Sequence, residues 1–183
     1  MTHICPWWFA YSFDNALRRF FHKPEQMLAP YVKEGMRAID IGCGMGFFSI
    51  GMARLVGDEG SVISVDLQQK MLDTVHRRAE KAGVAHRIRL HRCERDNIGI
   101  QEEVDFALLF WMVHEVPAPQ ILMRQVYSIL NSEGKLLLVE PNLHVSHTQF
   151  QEVVASAGGA GFTLREYPNI GLSRAALLDK STT

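Results

Sequence analysis

The feature that most constrains the fold is a run of three alternating glycines, Gly42, Gly44 and Gly46, between two apolar stretches. The first stretch, Arg37–Ile41, has the composition of a buried strand, and the second, Phe47–Val56, has the pattern of a helix. Glycine at a strand-to-helix turn permits positive φ angles and lets a ligand lie against bare backbone. In an open α/β sheet, this first turn lies at the carboxyl ends of the strands, where nucleotide-like ligands bind. The run therefore predicts an α/β fold with a ligand site at its first turn.

From Arg37 onward the chain alternates short apolar runs with helical stretches, which predicts βαβ units and a mostly parallel sheet. The predicted strands are Arg37–Ile41, Ser61–Val65, Ile88–Arg92, Val104–Phe110, Lys135–Glu140, Phe162–Glu166 and Ser173–Leu178. The predicted helices are Phe47–Val56, Gln69–Ala82, Pro119–Leu130 and Ser146–Ala157. We therefore expect an α/β fold with a seven-stranded sheet and helices on both of its faces.

Turn residues refine this expectation near the C-terminus. The turn-forming segment Asn131–Gly134 precedes the fifth strand, and Pro168-Asn169 joins the last two strands. Because no helix separates these two strands, we expect them to form an antiparallel hairpin at one edge of the sheet. Ser146 is a candidate N-cap for the last helix.

The first 36 residues differ from the rest because they are rich in aromatic side chains. These side chains are Trp7, Trp8, Phe9, Tyr11, Phe13, Phe20 and Phe21. Asp14–Phe21 has the pattern of a helix, and Pro24–Leu28 begins a short turn. We treat residues 1–36 as an extension of the α/β core at 37–183, within one domain that spans 1–183.

Three interpretations of this extension remain open. Aromatic side chains usually serve packing, so the extension can simply pack onto the domain. As a lid over the ligand cleft, it would place Trp8 and Tyr11 against a substrate. As an interfacial membrane contact, it would use Arg18 and Arg19 beside the apolar rings.

Composition and charge exclude several classes of protein. The chain has 19 Lys and Arg against 20 Asp and Glu, so it has no basic excess to neutralise a nucleic-acid backbone. The longest apolar run, Phe106–Val113, is too short to span a bilayer, and the start lacks the pattern of a signal peptide. Cys5, Cys43 and Cys93 lack the spacing of a zinc site or a disulfide framework. We expect a cytoplasmic protein with no nucleic-acid partner, no membrane span and no metal.

Carboxylates near the glycines distinguish between ligand classes. Asp40, before the turn, would repel a pyrophosphate and suit a cationic amine. Asp66 follows the second strand, where a carboxylate accepts hydrogen bonds from a ribose diol, although an ordinary surface aspartate also fits. Glu94 follows the third strand and is either an acceptor for an adenine amino group or a solvated acid. A dinucleotide fingerprint requires a small residue where Phe47 stands, so the turn favours a cationic ligand over one with phosphates.

These residues resemble the class I S-adenosylmethionine-dependent methyltransferases, and the resemblance extends from about Pro30 to Leu178. Asp40-x-Gly42-x-Gly44-x-Gly46 matches the family motif D/E-x-G-x-G-x-G. Val65-Asp66-Leu67, followed by Met71-Leu72, matches the segment after the second strand, and Leu130–Leu136 resembles L-x-P-G-G-x-L. The sequence is most similar to the small-molecule methyltransferases of quinone biosynthesis. The resemblance implies a Rossmann-like fold and an enzyme that methylates a small-molecule acceptor.

The resemblance also implies which residues bind the cofactor, S-adenosylmethionine. They are Asp40, Gly42, Gly44, Gly46, Asp66, Leu67, Glu94, Arg95 and Phe110. The glycines would approach the methionine part of the cofactor, and Asp40 would serve its ammonium group. Asp66 would hold the ribose hydroxyls, and Leu67 would pack on the adenine. Glu94 would bind the adenine, and the Phe110 carbonyl would accept from the cofactor's amino group.

The segment after the fourth strand supplies candidates for the substrate cleft. His114 is a candidate general base because an unperturbed imidazole titrates near neutral pH, and a structural or cofactor-adjacent role is the alternative. Trp111 is either a wall of the pocket, where it can contact a sulfonium, or part of the core. Glu140 ends the fifth strand at the edge of the cleft and is a candidate substrate ligand.

Three other functions remain as alternatives. An NAD-dependent oxidoreductase is disfavoured by Phe47 and by the early third glycine. A non-catalytic module or partner subunit that binds S-adenosylmethionine would have the same cofactor site. An RNA or protein methyltransferase would also share it, and the net charge argues against RNA. The acceptor, the methylated atom and the oligomeric state stay open.

Overall fold

Seven strands form one mixed sheet in the computed structural model, which describes residues 23–180. The strands are β1 Arg37–Ile41, β2 Ser61–Asp66, β3 Ile88–Arg92, β4 Val104–Phe110, β5 Leu130–Pro141, β6 Phe162–Glu166 and β7 Ser173–Lys180. Their order across the sheet is β3-β2-β1-β4-β5-β7-β6. The first five strands run parallel to one another, and β7 pairs antiparallel with both β5 and β6. The predicted parallel sheet with an antiparallel hairpin at its C-terminal edge is confirmed.

Helices cover both faces of this sheet, as predicted. They are α1 Pro24–Leu28, α2 Phe47–Leu55, α3 Gln69–Ala82, α4 Pro119–Ile129 and α5 His147–Gly159, with 3₁₀ turns at Ala85–Arg87 and Val113–Glu115. One apolar cluster joins β-strand residues to α4 and α5, and a second joins the opposite face to α1 and α2. Between residues 23 and 180, no helix combines the length and apolar character needed to cross a bilayer.

The fifth strand begins earlier than the sequence predicts. The pairing of β4 with β5 changes from Val104–Leu130 to Phe106–Lys135, so extra residues of β5 bulge out of the ladder. The turn-forming residues predicted before the strand make this bulge, in which Asn131 Oδ1 accepts from the Glu133 N–H at 3.0 Å. The prediction of a turn outside the strand was wrong, because β5 pairs with β4 both before and after these residues.

The last helix begins where the sequence predicts. Ser146 Oγ accepts from the Gln149 N–H at 3.2 Å, and the Gln149 side chain accepts from the Ser146 N–H at 2.9 Å. This reciprocal pair satisfies two donors at the start of α5. The helix then runs to Gly159, two residues beyond the predicted end.

Part of the N-terminal extension packs on the core. Leu28 of α1 is completely buried and Val32 is 2% exposed, and both join the apolar cluster that contains Phe48 and Met52 of α2. Gly51 of α2 lets α1 approach, since a Cβ there would collide with Pro24 Cβ. The predicted helix Asp14–Phe21 and the predicted substrate residues Trp8 and Tyr11 lie outside the described residues.

The packing of α1 generates a test of stability. We expect Leu28→Ala to lower the free energy of unfolding by about 2–5 kcal/mol, because it empties a buried leucine site. The matched control is Gln26→Ala on the exposed side of the same helix, with an expected change within about 0.5 kcal/mol. Urea denaturation of both variants measures the difference, and equal stabilities would contradict a core role for α1.

Candidate active site

The carboxyl ends of β1, β2 and β4 bring the glycine turn, Asp66 and the 111–115 segment to one edge of the sheet. The turn is tied to β2 because the N–H groups of Gly42 and Cys43 both donate to Val65 O, at 2.8 and 3.0 Å. The segment after β4 lies over the turn, and a Cβ on Gly42 would be 2.8 Å from the Met112 side chain. Residues distant in the sequence therefore form one continuous surface.

The three glycines of the turn have different surroundings. All three have positive φ angles, at 72° for Gly42, 52° for Gly44 and 78° for Gly46. A Cβ on Gly46 would lie 2.9 Å from Val75 of α3, whereas a Cβ on Gly44 would have no atom within 4 Å. Gly42 and Gly46 thus let neighbouring side chains pack closely, and Gly44 leaves open space beside bare backbone. That open space fits a ligand lying against the turn.

Asp66 lies at the end of β2 and is held in place by backbone donors. Its Oδ2 accepts from the Gly44 N–H at 3.0 Å, and its Oδ1 accepts from the Gln68 N–H at 2.9 Å. The residue is 8% exposed. Burial raises the pKa of Asp66, the negative charge of Glu115 adds to this rise, and the backbone hydrogen bonds oppose it. The fixed carboxylate retains acceptor capacity for a hydroxyl donor.

Asp40 lies beneath the turn and is 2% exposed. Its Oδ2 accepts from Ser49 Oγ of α2 at 2.5 Å. Burial raises the pKa of the Cys43 thiol well above its ordinary value, and the charges of Asp40 and Asp66 raise it further. The thiol therefore stays protonated, and the turn has carboxylates nearby that attract a cation and repel a phosphate.

The loop after β3 carries the candidates for the adenine end. Glu94 and Arg95 are exposed, and the Glu94 N–H donates to Asn97 O at 2.9 Å. The neighbouring Cys93 N–H donates to Asp66 O at 3.2 Å, which places the start of this loop beside β2. Leu67, partly buried, continues from Asp66 along the same edge. The structure brings these predicted residues to the edge that carries the glycine turn.

Phe110 and Trp111 lie where β4 ends. The centroids of the Phe110 and Phe48 rings lie 4.1 Å apart, and Phe110 is 5% exposed. Trp111 has a φ of 57°, a conformation that costs energy in a bulky residue and is concentrated at functional sites. Its indole Nε1 donates to Ser173 Oγ of β7 at 2.9 Å. Trp111 is therefore a partly buried residue anchored to a second strand.

Glu140 lies behind His114 and is completely buried. Its Oε1 accepts from the N–H groups of Val113 and His114 at 2.7 and 3.3 Å, and its Oε2 lies 2.5 Å from His114 Nδ1. This placement differs from the expected position at the cleft edge, because the segment after β4 lies against the carboxylate and encloses it. The His114 side chain remains 29% exposed.

The structure adds residues that the sequence did not single out. Arg78 of α3 is half-buried, and its guanidinium donates to Met45 O of the turn at 3.1 Å. Arg78 lies three residues after Val75, which packs on Gly46, and this helical spacing is the sequence signal that could have identified it. Gln125 of α4 accepts from the Ile98 N–H at 2.7 Å and holds the loop after β3, with no comparable signal in the sequence.

The pKa of His114 differs from its ordinary value. Burial by itself lowers this pKa, but the hydrogen bond to Glu140 and the negative charges of Glu140 and Glu115 outweigh burial and raise it.

In the part of the chain that the structure describes, no group of three or more His, Cys, Asp or Glu side chains is arranged to hold a metal ion.

Residues 32–163, most of the chain, match the family model described as a methyltransferase domain. The chain belongs to this methyltransferase domain family. The resemblance to class I enzymes, and to those of quinone biosynthesis in particular, is confirmed, and the cofactor of the domain is S-adenosylmethionine.

Named relatives extend this result. The chain is 27% identical over 128 residues to a demethylmenaquinone methyltransferase of Lactobacillus johnsonii, covering 69% of this chain and 50% of the relative. It is 29% identical over 116 residues to a protein-L-isoaspartate O-methyltransferase of Thermotoga maritima, covering 63% of this chain and 34% of the relative. The chain thus spans half or less of the length of these two relatives.

A solved structure shares the whole fold. The crystal structure of a SAM dependent methyltransferase from Aquifex aeolicus superposes with a TM-score of 0.86 at 20% identity. The match covers 96% of this chain and 98% of the other. This likeness concerns the fold alone.

The glycine geometry predicts unequal effects of two similar substitutions. We expect Gly46→Ala to lower the unfolding free energy more than Gly44→Ala. Both add roughly 1–2 kcal/mol of backbone strain at positive φ, but only Gly46→Ala also pushes against Val75. Thermal or urea denaturation measures the two variants side by side. A Gly44→Ala protein that is the less stable of the two would contradict this account of the turn.

The raised pKa of His114 predicts a dependence of stability on pH. A group whose pKa is higher in the folded state stabilises the fold most below its unfolded pKa, about 6.5, and this contribution is lost as pH rises through the folded pKa. We therefore expect the unfolding free energies of wild type and His114→Asn to differ more at pH 6 than at pH 9. Urea denaturation at both pH values measures this, and a difference that does not shrink with rising pH would contradict it.

Proposed function

We propose that this chain transfers a methyl group from S-adenosylmethionine to a small-molecule acceptor, with the cofactor lying along the edge of the glycine turn. The observation that carries the proposal is the carboxylate of Asp66. Two backbone N–H groups, from Gly44 and Gln68, fix it beside the open space at Gly44. A fixed, nearly buried acceptor beside bare backbone suits a ribose diol joined to a flexible amino-acid tail.

When bound, the cofactor supplies a methyl group on a cationic sulfur, and the protein contributes binding, orientation and electrostatics. Asp66 would accept from the ribose hydroxyls, and the backbone of the turn at Gly42, Gly44 and Gly46 would approach the methionine part. Asp40, buried beneath the turn, would favour the ammonium group through its negative charge. These are the roles that the family resemblance assigns, and the positions of the side chains support them.

The adenine end would lie beside the loop after β3. Leu67 offers a partly exposed apolar side chain next to Asp66, on which a ring can pack. Glu94 is an exposed acid that can accept from the adenine amino group, and Arg95 is exposed beside it. Phe110 would offer its carbonyl at the end of β4.

Two observations favour a small acceptor. The net charge of −1 offers no general attraction to a nucleic-acid backbone. Near the proposed site, Leu143 is 89% exposed and Leu172 is 50% exposed, and the Asn142 N–H donates to Leu172 O at 3.0 Å, so the two loops adjoin. Trp111 is tied to Ser173 on the same side. Apolar side chains at this rim suit an acceptor with an apolar body, in line with the substrate named for the Lactobacillus johnsonii relative.

Calorimetric titration tests the cofactor part of the proposal. We expect S-adenosylmethionine and S-adenosylhomocysteine to bind the full chain with micromolar affinity, and NAD not to bind. Asp66→Ala should abolish binding because the ribose loses its acceptor, whereas the control Asp73→Ala, exposed on α3, should leave it unchanged. NAD binding, or wild-type affinity in Asp66→Ala, would overturn this cofactor site.

Methyl transfer to a panel of acceptors tests the remaining part. With radiolabelled cofactor, we expect label in a demethylmenaquinone-type probe and none in an isoaspartyl peptide or in transfer RNA. Labelled peptide would assign a protein acceptor, as in the name of the Thermotoga maritima relative, and labelled RNA would assign a nucleic acid. Cofactor binding with no labelled acceptor would favour a non-catalytic module.

A further inference from the structure

Glu140 is a completely buried carboxylate whose hydrogen bonds go to the segment after β4. Its two oxygens serve one short segment, Val113–His114, through three donors. We propose that Glu140 is a positioning residue that fixes His114 with its proton on Nδ1, so that His114 Nε2 accepts a proton from a methyl acceptor whose nucleophilic atom carries one. This inference rests on the proposed function, since it names the acceptor chemistry of the same site.

The hydrogen bonds that Glu140 accepts determine the tautomer of the His114 ring. Oε1 accepts from two backbone N–H groups, which have no other protonation state. Oε2 lies 2.5 Å from His114 Nδ1, and a carboxylate oxygen can only accept there, so Nδ1 carries the hydrogen. A buried carboxylate is costly unless such donors satisfy it, which keeps the arrangement in place. In the neutral imidazole, Nε2 is then the nitrogen with a free electron pair.

The remaining contacts place Nε2 on the accessible side of the ring. Nδ1 faces a side chain with no exposure, so the 29% exposure of the His114 side chain belongs to its other atoms. Nε2 lies 4.0 Å from Glu115 Oε1, beyond hydrogen-bond reach. Met112, two residues before His114, packs over Gly42 of the turn. The histidine therefore lies on the same short segment as a residue that covers the proposed cofactor site.

This arrangement has a consequence for the acceptor. The acceptor atom forms a bond to the methyl carbon, the carbon–sulfur bond breaks with its electron pair remaining on sulfur, and the acceptor's proton passes to Nε2. One positive charge thus leaves the sulfonium and appears on the imidazolium, where Glu140 stabilises it. A phenol, another hydroxyl or an acidic C–H group has a proton to give, whereas a tertiary amine or thioether has none. The site therefore suits the former class.

The charged groups around His114 set the expected pH dependence. Glu140 faces the ring from β5, Glu115 lies beside it on the same turn, and Asp66 of β2 interacts in turn with Glu115. Glu140 and Glu115 favour the imidazolium, so the rate of methyl transfer should rise with pH as His114 loses its proton. The midpoint of the acid limb should lie above the ordinary pKa of histidine.

Nitrogen NMR of the imidazoles tests the tautomer without cofactor or acceptor. At a pH where His114 is neutral, long-range ¹H–¹⁵N correlation should show Nδ1–H in the wild type, with the signals assigned by their loss in His114→Asn. In Glu140→Gln, the amide oxygen can keep the backbone donors while the amide NH₂ donates to Nδ1. The ring should then switch to the Nε2–H form. Glu115→Gln is the matched control and should keep Nδ1–H.

Kinetics test the role of the base with a phenolic probe, 1,4-dihydroxynaphthalene. We expect kcat to fall about 100-fold in His114→Asn and in Glu140→Gln, with the calorimetric Kd for S-adenosylmethionine changed less than twofold. In His114→Asn, the amide NH₂ can still donate to Glu140, so the fold should survive. The acid limb of the pH profile should disappear in this variant. A purely structural role for Glu140 would lower the melting temperature without changing the tautomer.

The outcomes separate this inference from the function on which it rests. Cofactor binding with an unchanged kcat in His114→Asn would overturn the role of His114 as the base and leave the proposed methyltransferase function intact. A wild-type ring found as Nε2–H, or an unchanged tautomer in Glu140→Gln, would overturn the positioning role whatever the activity. Failure to bind the cofactor would overturn the proposed function, while the NMR result would still decide whether Glu140 fixes the ring.

Discussion

The hydrogen bonds between the glycine turn and the end of β2 are the contacts on which the proposed site depends. Because β1 and β2 are parallel neighbours, the turn after one strand lies beside the last residues of the other. Amides of the turn bond to the Val65 carbonyl and to the Asp66 carboxylate. These bonds fix the turn in its positive-φ conformation and fix the carboxylate at the same time. The open space at Gly44 and the fixed Asp66 carboxylate beside it thus both result from these hydrogen bonds.

Buried negative charge is the second constraint on this edge of the molecule. Asp40, Asp66 and Glu140 are each less than one-tenth exposed, and each accepts from donors nearby. Desolvation of a carboxylate opposes folding unless such donors compensate for it. Natural proteins keep unfavourable local features mainly where function requires them, and here the three acids surround the turn and the segment after β4. The positive φ of Trp111 belongs to the same pattern.

Much of the architecture was predictable because it follows from local patterns. The bounds of β3, β4, β6 and α3 agree with the prediction, since apolar runs and helical periodicity act between near neighbours in the sequence. The segment Asn131–Gly134 was misjudged because its residues favour turns, and only the pairing of β5 with β4 shows that they form a bulge. The contact of Arg78 was not predictable because its guanidinium reaches across to the glycine turn, which is distant in the sequence.

The sequence by itself determined the class of fold and the family and predicted the position of the ligand site, because alternating apolar runs and glycine spacing are properties of short segments. Only the tertiary structure decided which glycine has open space beside it and which carboxylate contacts the histidine ring. Glu140 and His114 are 26 residues apart and meet because β4 and β5 are adjacent in the sheet. Strand order and register decide such contacts, and both arise from packing of the whole sheet rather than from any local preference.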